Sequence, residues 1–135
     1  MAIRLQFTNP EDFTARVTAL ETAVRGDESA GQFALYTAAG AITPGGTAFL
    51  LGGAANAMTL ALPVAGPLSS GGQDGVKMTI DAGDAFAYTV TTPASGLNGS
   101  LHIATFAAAV GNNIELVAYN GSWYVYGTPR GVTLS

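Results

Sequence analysis

The chain predicts an all-β domain, a sandwich or barrel of about eight to nine short strands, preceded by one amphipathic helix. Three observations carry this. An Asn120-Gly121 pair is flanked on both sides by strand-favouring residues, the strongest short-range hairpin signal a sequence holds. The apolar period changes abruptly after Gly26, from helical spacing to a period of two. From Phe33 onward, clusters of Gly, Pro, Asn and Asp interrupt the pattern at short intervals, and no second helix is written.

The hairpin fixes its own register. A type I′ turn needs positive φ at both central residues, which Asn and Gly tolerate, so Tyr119 faces Ser122, Ala118 faces Trp123 and Val117 faces Tyr124. Ile114, Leu116, Ala118, Trp123 and Val125 then share a wholly apolar face suited to a core. Glu115, Val117, Tyr119, Ser122, Tyr124 and Tyr126 share the other. Aromatic rings with a polar tip are enriched where surfaces meet partners. Tyr119, Tyr124 and Tyr126 therefore admit three readings: a second packed layer, a subunit or partner contact, or a sugar-binding platform.

Residues 1–32 form a separate unit. Ile3, Leu5 and Phe7 alternate with Arg4 and Gln6, as in a short strand or an extended contact arm. Asn9 serves as helix N-cap, Pro10 takes the first helical position, and Glu11 and Asp12 sit where the helix dipole favours carboxylates. Gly26 ends the helix. Between them Phe13, Val17, Leu20 and Val24 make one apolar stripe, and Asp12 with Arg16 and Glu21 with Arg25 add i,i+4 pairs worth about 0.2–0.5 kcal/mol each. The stripe reads either as a helix packed on its own β-domain or as a short parallel bundle joining copies. An isolated helix of this length is marginal in water, so it requires a partner of some kind.

Residues 33–135 form the β-domain. Strands are expected over 33–38, 47–51, 57–62, 76–81, 85–92, 101–106, 114–119, 122–127 and 131–134. Breaks fall at 44–46, 63–75, 83–84 and 93–99, the longest being expected as a mobile surface loop. Met58-Thr59-Leu60 and Met78-Thr79-Ile80 are alike as strand composition, not as a repeat.

Composition narrows the function classes. At 135 residues the chain is one domain. Charged residues make up 10%, where about 25% is usual, so much of the surface is expected to meet other protein. A net charge of −4, with five dispersed basic residues, argues against nucleic acid. Having no cysteine removes disulfides, thiolate metal sites and a Cys nucleophile. Acidic residues interrupt the N-terminus before any signal core, and no run spans a membrane, so the reading is a soluble protein without an export signal.

Catalytic chemistry is thinly supported. His102 is the only histidine and reads as a surface or hydrogen-bonded strand residue. Asp81 and Asp84 resemble a carboxylate pair but bracket Ala82-Gly83, where Asp stabilises turns. Asp74, Asp81 and Asp84 match no calcium-loop spacing, and the glycines at 71, 72 and 75 lack the Lys and helix of a phosphate loop. No catalytic, metal or cofactor residue is assigned.

With the segments 76–80, 85–91, 104–106 and 114–125 in hand, the chain from about Ala57 to Leu134 resembles a β-module of tailed-bacteriophage structural proteins. The likeness is to modules of capsid decoration (cement) proteins and of head or tail fibres, and the closing segment of the form LVAYNG-x-WYV is its most specific part. The resemblance implies a jelly-roll-like or related sandwich, and a homo-oligomer on the outer capsid surface of the virion, made in the host cytoplasm. Its implied partners are the major capsid protein and itself, with a trimer preferred over a dimer. The helix lies outside the shared module. Ile3, Leu5, Phe7, Phe13, Val17, Leu20 and Val24 are the expected capsid or oligomer contacts. The composition, with 24 Ala, 18 Gly and 15 Thr, suits a stable shell component better than an enzyme. A fibre or receptor-binding head recognising host glycan is the alternative, disfavoured by the lack of shaft repeats.

Overall fold

A computed structural model of the chain describes residues 33–135. The expected arm and helix, with the contact residues Ile3 to Val24, lie outside the described residues.

Among the described residues ten strands form two five-stranded sheets. They are β1 (Phe33–Tyr36), β2 (Gly40–Ile42), β3 (Gly46–Leu50), β4 (Ala57–Leu60), β5 (Lys77–Ala82), β6 (Thr89–Thr91), β7 (Ile103–Phe106), β8 (Asn113–Tyr119), β9 (Ser122–Val125) and β10 (Val132–Leu134). The first sheet has the order β1-β3-β5-β8-β9 and the second β10-β7-β6-β4-β2.

The chain crosses between sheets at every step from β1 to β6. Successive strands of one sheet are therefore parallel, and β1–β3, β3–β5, β2–β4 and β4–β6 all pair this way. Parallel neighbours need a long crossover, commonly a helix, and here a strand of the opposite sheet takes that place. The remaining ladders, β5–β8, β8–β9, β6–β7 and β7–β10, are antiparallel. The β-sandwich expectation holds. The jelly-roll expectation does not describe this winding, because a jelly roll is built from antiparallel Greek keys.

Every expected strand is present, most of them shortened at an end. The tenth, β2, was not expected. It is three residues long, and its Gly-Ala-Ile carries no alternation. The strand expected over 85–92 begins only at Thr89, because Tyr88 turns inward and is buried, its hydroxyl accepting from the Gly52 N–H (2.8 Å) and donating to Asp84.

One core lies between the sheets. Its rows run across strands: Ala48, Ile80 and Ile114 in one sheet, Met58, Val90 and Ala104 in the other. Each row ends in an alanine beside larger aliphatic side chains, so the two pleated faces close-pack with few gaps. Met58-Thr59-Leu60 and Met78-Thr79-Ile80 lie in opposite sheets, each with Met and Leu or Ile buried.

Candidate functional site

The hairpin adopts the expected register, with Leu116 opposite Val125, Val117 opposite Tyr124, Ala118 opposite Trp123 and Tyr119 opposite Ser122. Asn120 and Gly121 have φ of 47° and 81°, the left-handed pair the turn demands. Ile114, Leu116, Ala118 and Trp123 are buried, Trp123 completely, and its indole N–H donates to the Ala61 carbonyl (2.9 Å).

The residues between Pro63 and Gly75, expected as a mobile loop, are tied down. Asp74 Oδ1 accepts from the N–H groups of Gly66 (3.2 Å) and Asn120 (2.8 Å), so one carboxylate joins this loop to the hairpin tip. Gln73 and Val64 bond twice, through backbone (2.7 Å) and through the Gln73 side chain (2.8 Å). Gly72 lies so close to the Gly66 carbonyl that a Cβ there would collide with it, a steric reason for that glycine unrelated to phosphate.

The outward face of the hairpin is part of the outer surface of the first sheet, whose composition changes across its width. At β1 and β3 it is apolar. Phe33 is 61% exposed and Leu35 52%, Leu35 stands opposite Phe49, and the Phe33 and Phe49 rings lie 5.4 Å apart. Phe49 in turn lies over Gly83, where a Cβ would strike its ring. The middle is polar: Lys77, Thr79 and Asp81 of β5 face Val117, Glu115 and Asn113 of β8. At the far side it is aromatic. Tyr119, also 61% exposed, has its ring 6.4 Å from that of Tyr124, and Lys77 Nζ lies 5.3 Å from the Tyr126 ring centre, within cation–π range. Tyr119, Tyr124 and Tyr126 are thus gathered at one edge as expected. Tyr119 is exposed while Tyr124 and Tyr126 are half-buried, so all three readings of this face stay open.

The middle strip is unfavourable to the ionised form of Asp81. Partial burial, and secondarily the Glu115 charge, push the Asp81 carboxyl above its ordinary 3.8. The same two causes raise the Tyr126 phenol.

The other residues weighed as chemistry have separate surroundings. Asp84 accepts from the Tyr88 hydroxyl and the Gly53 N–H (2.9 Å), locking two loops together. His102 is exposed immediately before β7, its backbone bonded to Thr92 and Ser135. Asp74, Asp81 and Asp84 serve three different places, and no group of three or more metal-ligating side chains comes together among the described residues. A shallow depression of about 380 Å³, lined by Ala41, Thr59, Leu60, Thr91, Thr92 and Pro93 among others, holds no titratable side chain.

Two features escaped the sequence. Phe33-Ala34-Leu35-Tyr36 is apolar on both faces, so no period reveals which side is outward. Lys77 and Tyr126 meet only through the β5–β8–β9 pairing, a long-range register no local pattern encodes. Among the described residues no helix is long and apolar enough to cross a membrane. No family model matches the chain, and no curated protein matches it either.

Proposed function

We propose that this chain is a non-enzymatic structural protein of a tailed-bacteriophage virion, a homo-oligomeric decoration protein that binds the outer capsid surface and stabilises the shell. The observation that carries the proposal is the hairpin of β8 and β9. The segment with the most specific likeness to phage modules is the one whose outward face gathers Tyr119, Tyr124 and Tyr126. Supporting it are the wound sandwich with its continuous core and a surface sparse in charge. The partners are the major capsid protein and further copies of the chain.

Attachment requires the N-terminal unit with Ile3, Leu5, Phe7, Phe13, Val17, Leu20 and Val24. A chain lacking residues 1–25 should keep the far-UV spectrum of a β-domain and lose binding to undecorated shells. Undiminished binding would pass attachment to the loops of the β-domain, beginning with the one between Pro63 and Gly75. A receptor-binding role is the second reading, favoured by the exposed Tyr119 packed on Tyr124 and by Lys77 and Glu115 beside Tyr126, which suit a sugar face. Binding of the intact chain to host cells or glycans, in place of shells, would establish that reading instead.

A further inference from the structure

We propose that Asn120, at the tip of the β8–β9 hairpin, is a site of spontaneous deamidation, and that the carboxylate it gains works against Asp74 to loosen the loop between Pro63 and Gly75. This goes beyond the capsid reading and holds whatever surface the chain binds.

The chain writes Asn-Gly-Ser twice, at 98–100 and at 120–122. Asparagine before glycine is an especially labile setting for the side-chain amide, because no Cβ shields the following nitrogen and glycine lets the backbone turn. The reaction needs only water. The Gly121 nitrogen loses its proton and attacks Cγ of Asn120, the Cγ–Nδ2 bond breaks, and ammonia departs, leaving a cyclic succinimide. Water then opens the ring at either carbonyl, giving aspartate or isoaspartate with no change in oxidation state.

The two copies are matched in sequence, exposure and backbone, and differ in how the side chain is held. Both asparagines are exposed, with φ of 50° at Asn98 and 47° at Asn120, and their glycines stand at 76° and 81°. Asn98 is clamped along the edge of β9: its N–H donates to the Trp123 carbonyl (2.8 Å) and its Oδ1 accepts from the Val125 N–H (2.9 Å). Among the described residues the Asn120 carboxamide bonds to nothing, and neither does the Gly121 N–H. The ring closes only when the carboxamide carbon swings over the next nitrogen, so Asn98 must first give up its bond to Val125, while Asn120 turns freely. What Asn120 does hold is its own N–H on Asp74 Oδ1 (2.8 Å), the carboxylate oxygen that also takes the Gly66 N–H (3.2 Å). Deamidation sets a second negative charge beside that carboxylate, and isoaspartate in addition lengthens a two-residue turn closed by the Tyr119–Ser122 pair.

The test is peptide mapping by mass of the full chain after incubation in a mildly alkaline buffer, once folded and once in denaturant. In denaturant the two sites should convert at similar rates, since their Asn-Gly-Ser sequences are the same. In the folded chain Asn120 should convert at least about threefold faster than Asn98, the ratio that the net worth of one hydrogen bond sets. Equal rates in the folded chain, a faster Asn98, or an Asn120 left intact while the unfolded chain converts would overturn the assignment. The variant Asn120→Asp reads the consequence directly. Hydrogen exchange at residue 120 and at Gly66 should quicken in it, and less so at high salt, with Trp123 emission unchanged. Exchange as slow as in the natural chain, or quickened equally at low and high salt, would overturn the link to Asp74. Should the variant fail to fold, the deamidated natural chain, separated by its added charge, gives the same comparison.

Discussion

Trp123 joins the two sheets through a single side chain. It is fully buried opposite Ala118, and its indole N–H reaches the Ala61 carbonyl at the end of β4 in the other sheet. Trp123→Ala should cost about 3–5 kcal/mol, read from chemical unfolding, because the cavity lies where the sheets meet. A near-wild-type midpoint would mean the hairpin faces are inverted. Asp81 makes an opposite prediction. Its folded pKa is raised, so the folded state binds its proton more tightly than the unfolded chain does, and stability falls as pH rises through the folded value. Asp81→Asn should therefore be more stable than the natural chain at neutral pH, with the difference closing below the ordinary 3.8; equal pH dependence of the two proteins would contradict this. Asp81 was legible in the sequence only as a turn residue. Its neighbour Glu115 is set beside it by the β5–β8 register, which is a long-range fact.

At the scale of elements, Asp74 links the loop after β4 to the hairpin. Asp74→Ala leaves the Gly66 and Asn120 N–H groups without their acceptor, a loss of about 1–3 kcal/mol. Hydrogen exchange should report it at Asn120 as well as in the loop; a change confined to the loop would show that the hairpin stands alone. The hairpin itself was legible to the residue, because turn chemistry at Asn120-Gly121 and strict alternation from Ile114 to Val125 encode it locally. The nine expected strands were legible for the same reason. Strand β2 was not, since three residues of Gly-Ala-Ile hold neither a period nor β-branched enrichment before Ile42. The loop's order was missed because Ser and Gly mark a surface excursion without saying what Asp74 and Gln73 bond.

For the whole molecule, alternation between sheets decides the shape. A local pattern announces strands but is silent on partners, and parallel winding from β1 to β6 replaces the antiparallel jelly roll because each strand passes to the opposite sheet before its neighbour is laid down. That winding produces an outer face with an apolar strip at one end and tyrosines at the other. Both zones are exposed or half-exposed apolar and aromatic surface, which in the role proposed above meets other protein. In the decoration role proposed above, the chain bridges neighbouring capsomers and adds to shell stability without being needed to build the shell. The most direct measurement is the temperature at which empty shells of the major capsid protein open, with and without the purified full chain. Shells should form without it, bind it, and open at a higher temperature once decorated; shells that fail to bind it, or that open at the same temperature when it is bound, would contradict the decoration role.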